Sequence, residues 1–442
     1  MTEIVIVGLG DTGFSCAEYF QSKNIAVTVI DSRENPPRLA DFKAKFPNLT
    51  IITGGFSKTV LNQAKLLVMS PGLSKSHPDI IPFISNETHI IGDIELFAKQ
   101  VAAPVVAITG SNGKSTVTTL LGEMAKKALK KVAIGGNLGK PALSLLSEET
   151  ELYILELSSF QLETTQSLRP KIATILNLSM DHLDRYASFG DYQAAKLRIY
   201  TDCEYIVFNR QDPILPDLMS KKSQPRLISF GLDEPEAGHF GLIYDQEWIL
   251  TKGTERLIPA KKLQILGQHN LANALASLAL GDGIGLPMDK MLAALEDFKG
   301  LSHRCESVCE KAGVRWVNDS KGTNVGATVT ALTGLGAEIS KQWILIAGGI
   351  GKNADFSPLI PLVKKYCRAV VLIGSSAEEL FQLFSKIVPC FKAIDMEEAV
   401  HKAASLAEPG DGVLLSPACS SLDMFQNFEE RGLAFKACVL KL

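Results

Sequence analysis

The sequence predicts an α/β protein of about three domains built on parallel sheets. Three observations point there. The chain has 442 residues, and roughly 150 residues make a typical domain. Short β-branched runs alternate with longer helical stretches almost throughout, the rhythm of βαβ units whose strands are buried on both faces. Glycine-rich turns directly follow three of those runs.

In order, the predicted strands are Ile4–Val7, Val27–Ile30, Leu66–Met69, Val105–Thr109, Tyr153–Glu156, Ile172–Leu176, Tyr205–Phe208, Ile344–Ala347, Val370–Ile373 and Val413–Ser416. Domains are expected over 1–93, 94–300 and 301–442. The last limit follows the Gly281–Gly285–Pro287 break and one more short helix. The pattern shows no repeat of solenoid length and no low-complexity segment.

Composition narrows the function. The hydrophobic fraction of 46% and charged fraction of 21% are those of a folded soluble chain. Lys+Arg is 45 against 48 Asp+Glu, which argues against a dedicated nucleic-acid binder, since those domains carry a basic excess. A local basic site for an anionic ligand remains compatible. Of eight cysteines, only Cys305 and Cys309 are close, and not at CxxC spacing. Reduced thiols in a cytoplasmic protein are therefore expected. The opening MTEIVIVGLG lacks the basic and apolar stretches of an export signal. Without an apolar run of about 18 residues, no membrane insertion is expected.

The first turn is Gly8-Leu9-Gly10-Asp11-Thr12-Gly13, between a strand and a helix. Glycines let backbone approach a pyrophosphate, and a helix N-terminus supplies free N–H groups. The next strand ends at Asp31, followed by Ser32 and Arg33. An acidic residue there usually binds a ribose in dinucleotide enzymes, while Arg33 favours extra anionic charge. The motif alone leaves open a nicotinamide or flavin site, another nucleotide-like ligand, or a merely tight turn. Ser70-Pro71-Gly72 ends another strand and faces the same predicted crevice.

The second turn runs Gly110, Ser111, Asn112, Gly113, Lys114, Ser115, Thr116 after the strand ending at Thr109. It reads as a phosphate loop, although position 108 is Ile where the full spacing has Gly. Backbone N–H groups wrap a β-phosphate, Lys114 neutralises β/γ charge, and Ser115 can ligate Mg²⁺. The third turn, Gly348 to Asn353, could hold a phosphate with Lys352 as cation, or could be structural.

Two nucleotide-type turns in one chain exceed what a dehydrogenase or a simple NTPase switch requires. An ATP-driven enzyme acting on a nucleotide-tagged substrate uses both.

Ligands in open α/β sheets lie beyond the carboxyl ends of strands. Glu156 ends one, placing a carboxylate near the Mg²⁺ region or capping the next helix. His182 follows another strand, as a metal or catalytic residue or an ordinary hydrogen-bonding one. Lys196 lies in a helical pattern that by itself reads as a solvated surface lysine. Asn270 and Asn273 share a helical face, where amides can read a base edge and Asn270 equally can cap. Arg304, Asp319, Lys321 and Thr323 form a dense polar set.

Taken together, these residues resemble the ATP-dependent Mur ligases. The matching segments are Ile6–Gly13, Ser70–Gly72, Gly92–Leu96, Ile108–Thr118, Gly135–Gly139, Leu155–Thr164, Ala194–Tyr200, Gly267–Asn273, Arg315–Asn324 and Leu414–Gly432, nearly the whole chain in order. The run Ser416–Phe425 resembles the branch that adds D-glutamate. The chain departs from the family's usual pattern at the flanking positions Met180 and Ile350.

The resemblance implies a Rossmann-like N-terminal domain, a central phosphate-loop ATPase-type domain and a Rossmann-like C-terminal domain. It implies ATP, Mg²⁺ (two ions), UDP-N-acetylmuramoyl-L-alanine and D-glutamate as ligands of a cytoplasmic monomer. Thr12, Asp31, Ser32, Arg33 and Gly72 would contact the uridine nucleotide, and Asn137 the muramoyl substrate. Gly110 to Thr116 would hold the ATP phosphates, and Asn273, Arg304 and Asp319 the rest of the nucleotide. Lys114, His182 and Lys196 would be catalytic. Ser115, Glu156, His182 and Lys196 would serve the metal, Lys196 as a carbamate, an oxygen ligand of the type Mg²⁺ prefers. Lys321, Thr323, Lys352, Ser421, Leu422 and Phe428 would surround D-glutamate or the reacting phosphate.

Rival readings are a nicotinamide-dependent oxidoreductase, a non-catalytic ATP-binding regulator, and a sister ligase using another amino acid or folate. Acceptor-dependent phosphate release separates them.

Overall fold

The structure is a computed structural model and describes residues 3–128, 131–179, 185–220, 226–336, 338–352 and 354–442. Met180 and His182 lie outside the described residues.

Among the described residues the strands form three sheets. The first orders β3 (Thr50–Ile52), β2 (Thr28–Ile30), β1 (Ile4–Val7), β4 (Leu66–Met69) and β5 (His89–Ile91), every pairing parallel. Its central strands are buried on both faces, as crossover helices on either side require.

The second sheet has order β14-β13-β12-β11-β10-β9-β6-β8-β7. Its members are β6 (Val105–Thr109), β7 (Val132–Gly136), β8 (Leu152–Glu156), β9 (Ile172–Ile175), β10 (Tyr205–Asn209), β11 (Arg226–Phe230), β12 (Phe240–Asp245), β13 (Glu247–Lys252) and β14 (Glu255–Pro259). From β7 to β12 the pairings are parallel. β6 and β8 are wholly buried, and Ile108 pairs with Glu156. That register sets the Glu156 carboxylate beside the start of the phosphate loop.

The third sheet orders β15 (Glu306–Lys311), β16 (Val314–Asn318), β20 (Gly412–Leu415), β17 (Trp343–Gly348), β18 (Cys367–Ile373) and β19 (Cys390–Lys392). β15 pairs antiparallel with β16, and the other pairs are parallel. Apolar clusters cover its two faces, one around Trp343, Phe384 and Leu332, the other around Trp316, Phe435 and Met396.

These sheets belong to two compact units. One comprises Met1–Ile243, Thr251–Leu257 and Leu275–Ala294; the other comprises Tyr244–Leu250, Ile258–Ala274 and Leu295–Leu442. Among the described residues no helix is long and apolar enough to cross a membrane.

Candidate active site

In the first unit, the turn after β6 leads into the helix Lys114–Ala128. Gly113 adopts φ 83°, a left-handed conformation costly for residues with a side chain. Lys114 Nζ donates to the carbonyls of Gly110 at 2.9 Å and Ser111 at 3.0 Å, folding back over its own loop. Asn112 and Asn177 clasp each other: Asn112 N–H donates to Asn177 Oδ1 at 2.8 Å, and Asn177 Nδ2 to Asn112 O at 3.1 Å. Ser111 Oγ lies 2.9 Å from the Tyr192 hydroxyl and accepts from Ser179 N–H at 3.0 Å. These contacts brace the loop, and a glycine-containing turn running into a helix N-terminus is the kind of backbone that binds phosphate through main-chain N–H groups.

Lys196 corrects one expectation. Its helical pattern reads as a solvated lysine, yet it is 2% exposed. It lies in the helix Phe189–Leu197, which Ser188 caps by accepting from Asp191 N–H. Nζ donates to Thr109 Oγ1 at 3.2 Å and Gly110 O at 3.0 Å, and lies 4.9 Å from the Tyr192 ring centroid. The bland reading fails because helical periodicity shows only which positions share a face, and here the charged position faces the phosphate loop.

Glu156, also 2% exposed, accepts at Oε1 from Asn137 Nδ2 at 2.7 Å. Its Oε2 is buried and has no hydrogen-bond partner. Asn137 is set there by its own N–H, which donates to Glu156 O at 2.8 Å. A Cβ on the preceding Gly136 would lie 2.4 Å from that carbonyl oxygen, so the approach needs glycine. The alternative reading of Glu156 as a helix cap is not realised: Ser158 caps Ser159–Glu163 in a reciprocal capping box with Gln161. A buried carboxylate with one unpaired oxygen is costly unless a cation completes it. Among the described residues no group of three or more His, Cys, Asp or Glu side chains could form a metal cage. Mg²⁺ needs none, because it keeps waters and takes one or two carboxylates plus substrate phosphates.

In the first sheet, the Asp31 carboxylate is occupied within the protein. Oδ2 accepts from Leu9 N–H at 2.7 Å, and both oxygens accept from Arg33. Burial raises the Asp31 pKa, but these bonds outweigh it and hold the carboxyl below its ordinary range. Asp31 thus positions the first glycine turn and the half-exposed Arg33 guanidinium. Ser32 is exposed and Thr12 partly so. Ser70 Oγ donates to Gly8 O at 3.0 Å, joining the two turns of this sheet. A Cβ on Gly10 or Gly72 would meet nothing within 4 Å beyond the adjoining residues, so both backbones stay open to a ligand.

The second unit gathers the other expected residues. Asp319 directly follows β16 and is buried, accepting from Ser416 Oγ at 2.7 Å and Cys305 N–H at 3.2 Å. Burial pushes it up to about 6, against the partial pull of those donors and Arg304. Lys321 Nζ lies 3.7 Å from the Phe428 ring centroid, a cation–π contact. Thr323 N–H donates to Lys321 O at 2.7 Å, closing the turn. The third glycine turn lies along the Ser416–Ser421 run, where Ile350 and Ser420 exchange backbone bonds at 3.0 Å. Lys352 is exposed beyond it, Ser421 is buried and Leu422 is 64% exposed. Asn270 Nδ2 donates back to Leu266 O, and Asn273 Nδ2 to Asn270 Oδ1.

Two arginines that are not among the predicted site residues brace the turns of these sheets. Arg431 is fully buried and donates to Ser320 Oγ, Ser320 O and Cys419 O at 3.0, 2.8 and 3.1 Å. It ties the turn after β16 to the turn after β20, and burial lowers its guanidinium to about 10. Arg185 does the comparable task in the first unit. Residue type alone marks neither, since each acts mainly on backbone carbonyls.

A three-domain α/β fold with a phosphate loop, a buried carboxylate with one unpaired oxygen and a buried lysine defines an ATP-dependent enzyme, and comparison with known proteins specifies it. The Mur ligase middle domain matches residues 108–281, the Mur ligase MurD-like N-terminal domain 2–92, and the Mur ligase glutamate ligase domain 303–419. The chain belongs to the Mur ligase family. It is 49% identical over 440 residues to the UDP-N-acetylmuramoylalanine–D-glutamate ligase of Pseudomonas aeruginosa, covering 99% of this chain and 98% of that one. It is 47% identical over 441 residues to the same-named ligase of Hahella chejuensis, covering 99% and 98%. Among solved structures, the Thermotoga maritima UDP-N-acetylmuramate-alanine ligase aligns over 100% of both chains, with a TM-score of 0.62 at 20% identity. The MurF ligase of Thermotoga maritima, in complex with ADP, aligns over 94% of this chain and 95% of its own, with a TM-score of 0.63 at 18% identity. These last two likenesses concern the fold.

Proposed function

We propose that the chain is an ATP-dependent ligase that joins D-glutamate to UDP-N-acetylmuramoyl-L-alanine in cytoplasmic peptidoglycan precursor synthesis. ADP and phosphate are the co-products. The observation that carries this reading is the 49% identity to a D-glutamate ligase across 99% of the chain. The domains 1–93, 94–300 and 301–442 take, in that order, the UDP end of the substrate, ATP, and the incoming amino acid.

A carboxylate is a poor electrophile because its leaving group would be oxide. The terminal L-alanine carboxylate therefore attacks the γ-phosphorus of ATP, the bond to the bridging oxygen breaks, and ADP leaves. The D-glutamate nitrogen then attacks the carbonyl carbon of the acyl phosphate. The tetrahedral intermediate collapses, phosphate leaves with the C–O electron pair, and the nitrogen loses a proton.

Catalysis is then mostly positioning and electrostatics. Gly110 to Thr116 hold the ATP phosphates, Lys114 spreads γ-phosphoryl charge, and Asn137 orients the acceptor beside Glu156. Asn273, Arg304 and Asp319 serve the remainder of the nucleotide. Lys321, Thr323, Lys352, Ser421, Leu422 and Phe428 surround D-glutamate. The uridine nucleotide is held by Thr12, Ser32, Arg33 and Gly72, with Asp31 holding Arg33.

The donor set suits Mg²⁺, because the unpaired Glu156 oxygen is the hard ligand this ion selects. Ser115, Glu156, His182 and a carbamate on Lys196 would hold it, and when bound it supplies positive charge to the phosphate oxygens. The carbamate forms when neutral Nζ adds to CO₂ and releases a proton.

The test is phosphate release from Mg-ATP with UDP-N-acetylmuramoyl-L-alanine, scanning D-glutamate, L-glutamate, L-alanine and a diamino acid. Release with D-glutamate alone, and a product heavier by one glutamyl unit, is expected. Silence with every acceptor despite ATP binding would favour a regulatory protein; release with another acceptor would favour a sister ligase.

A further inference from the structure

Arg185 lies outside every motif in the sequence and is 12% exposed. Its Nη1 donates to Pro71 O at 3.2 Å and its Nη2 to Leu73 O at 2.9 Å. Those carbonyls flank Gly72, whose backbone stays open to a ligand. On its other side the guanidinium lies over the Phe160 ring, Cζ 4.3 Å from the centroid. Nη2 is also 3.4 Å from Glu163 Oε2, itself 11% exposed.

Phe160 and Glu163 belong to the helix Ser159–Glu163, which begins three residues after Glu156. The following turn holds the exit from the first sheet, as Gly92 N–H donates to Thr164 O at 3.3 Å. A Cβ on Gly92 would lie 2.3 Å from Thr164 Oγ1, so the two segments are in direct contact. The segment Ser70–Leu73 is therefore held at both ends. Ser70 ties it to the first glycine turn, and Arg185 ties it to the segment that leaves the Glu156 strand.

We infer that Arg185 is a positioning residue for the UDP-bearing substrate, fixing Gly72 through the carbonyls on either side of it. This inference rests on the proposed function. The physical reason is preorganisation: a loop ordered before binding does not have to be ordered by the ligand. Arginine suits the task because its fork reaches two carbonyls at once, while its charge strengthens both bonds. Glu163 balances the charge, and Phe160 fixes the plane of the fork. Without the guanidinium the loop loses its side-chain tether at Pro71 and Leu73 and keeps the Ser70 bonds and the packing of Leu73, whereas the direct braces of the phosphate loop from Asn177, Tyr192 and Ser179 remain.

The experiment is calorimetric titration of the wild-type chain, Arg185→Met and Arg185→Lys, each with UDP-N-acetylmuramoyl-L-alanine and separately with a non-hydrolysable ATP analogue. For Arg185→Met the UDP-substrate Kd is expected to rise about tenfold and the ATP-analogue Kd to stay within about twofold. Arg185→Lys keeps the charge but not the fork, and is expected to fall between. Unchanged UDP-substrate affinity in both variants overturns the inference. Equal loss of affinity for both ligands also overturns it, because that marks a general loosening of the fold. Should Arg185→Met show no cooperative melting, Arg185→Lys is judged by the same two ratios. A wild-type chain that binds the ATP analogue but not the UDP substrate would instead remove the proposed function, and the inference with it.

Discussion

Asn137 Nδ2 lies 2.7 Å from Glu156 Oε1, while Oε2 of the same carboxylate is buried and unpaired. One oxygen is thus fixed by the protein and the other reserved. Replacing Glu156 with Gln keeps the shape but removes the charge a cation would need. Glu156→Gln is expected to lower phosphate release about a hundredfold or more, a loss of the size seen when one electrostatic stabiliser is removed. Its Mg²⁺ activation curve should shift to higher concentration. Wild-type turnover and Mg²⁺ dependence in the variant would refute the metal assignment.

Lys196 is buried beside Thr109 Oγ1 and Gly110 O. If Nζ carries a carbamate, activity depends on dissolved CO₂. Stripping bicarbonate from enzyme and buffers is expected to reduce the rate, and adding it back to restore it. Lys196→Arg cannot form a carbamate and should be inactive and indifferent to bicarbonate. A rate unaffected by bicarbonate across a titration would rule the modification out.

Asp93 is buried, with Oδ1 unpaired and Oδ2 3.5 Å from Gln161 Nε2. Burial raises its pKa from 3.8 to about 6. For an acid, a folded pKa above the unfolded one means the folded state holds the proton more tightly. Stability therefore falls as pH rises from about 4 through about 6, and the penalty persists above that. Asp93→Asn removes the penalty, so the variant's stability relative to wild type should improve across this window, on the order of 2–3 kcal/mol. Parallel denaturation curves at every pH would contradict this.

Arg431 is expected to matter for stability first. Arg431→Met leaves Ser320 O and Cys419 O without their buried donor. Unsatisfied buried groups cost about 1–3 kcal/mol each, so urea unfolding should show a loss of about 3 kcal/mol. A loss below about 1 kcal/mol would mean the two turns hold together without it.

The sheet interiors were legible in the sequence because a doubly buried strand has to be a short apolar, β-branched run. β1, β4 and β6 have the limits expected from that pattern. The three-residue strands β3, β5 and β19 were not legible, since their partly exposed positions leave no such run. Nor were β12 to β14, short apolar stretches with charged residues at their ends and partly exposed positions within them.

The candidate site divides the same way. Gly110–Thr116 and Glu156 announce themselves by composition and by position at strand ends. Lys196 does not, because burial of a lone lysine is decided by what packs over its helix. Arg185 and Arg431 act through carbonyls distant in sequence, and backbone acceptors carry no residue code.

The phosphate loop is held largely through its main chain. Lys114 binds the carbonyls of Gly110 and Ser111, Asn112 is clasped through its main chain, and Gly113 has a left-handed φ. An inhibitor that reads this loop through its N–H groups alone would contact atoms that no substitution other than proline removes. Resistance by substitution would then have to come from residues such as Asn177 or Tyr192 behind the loop, where each change also loosens the array that ATP itself requires.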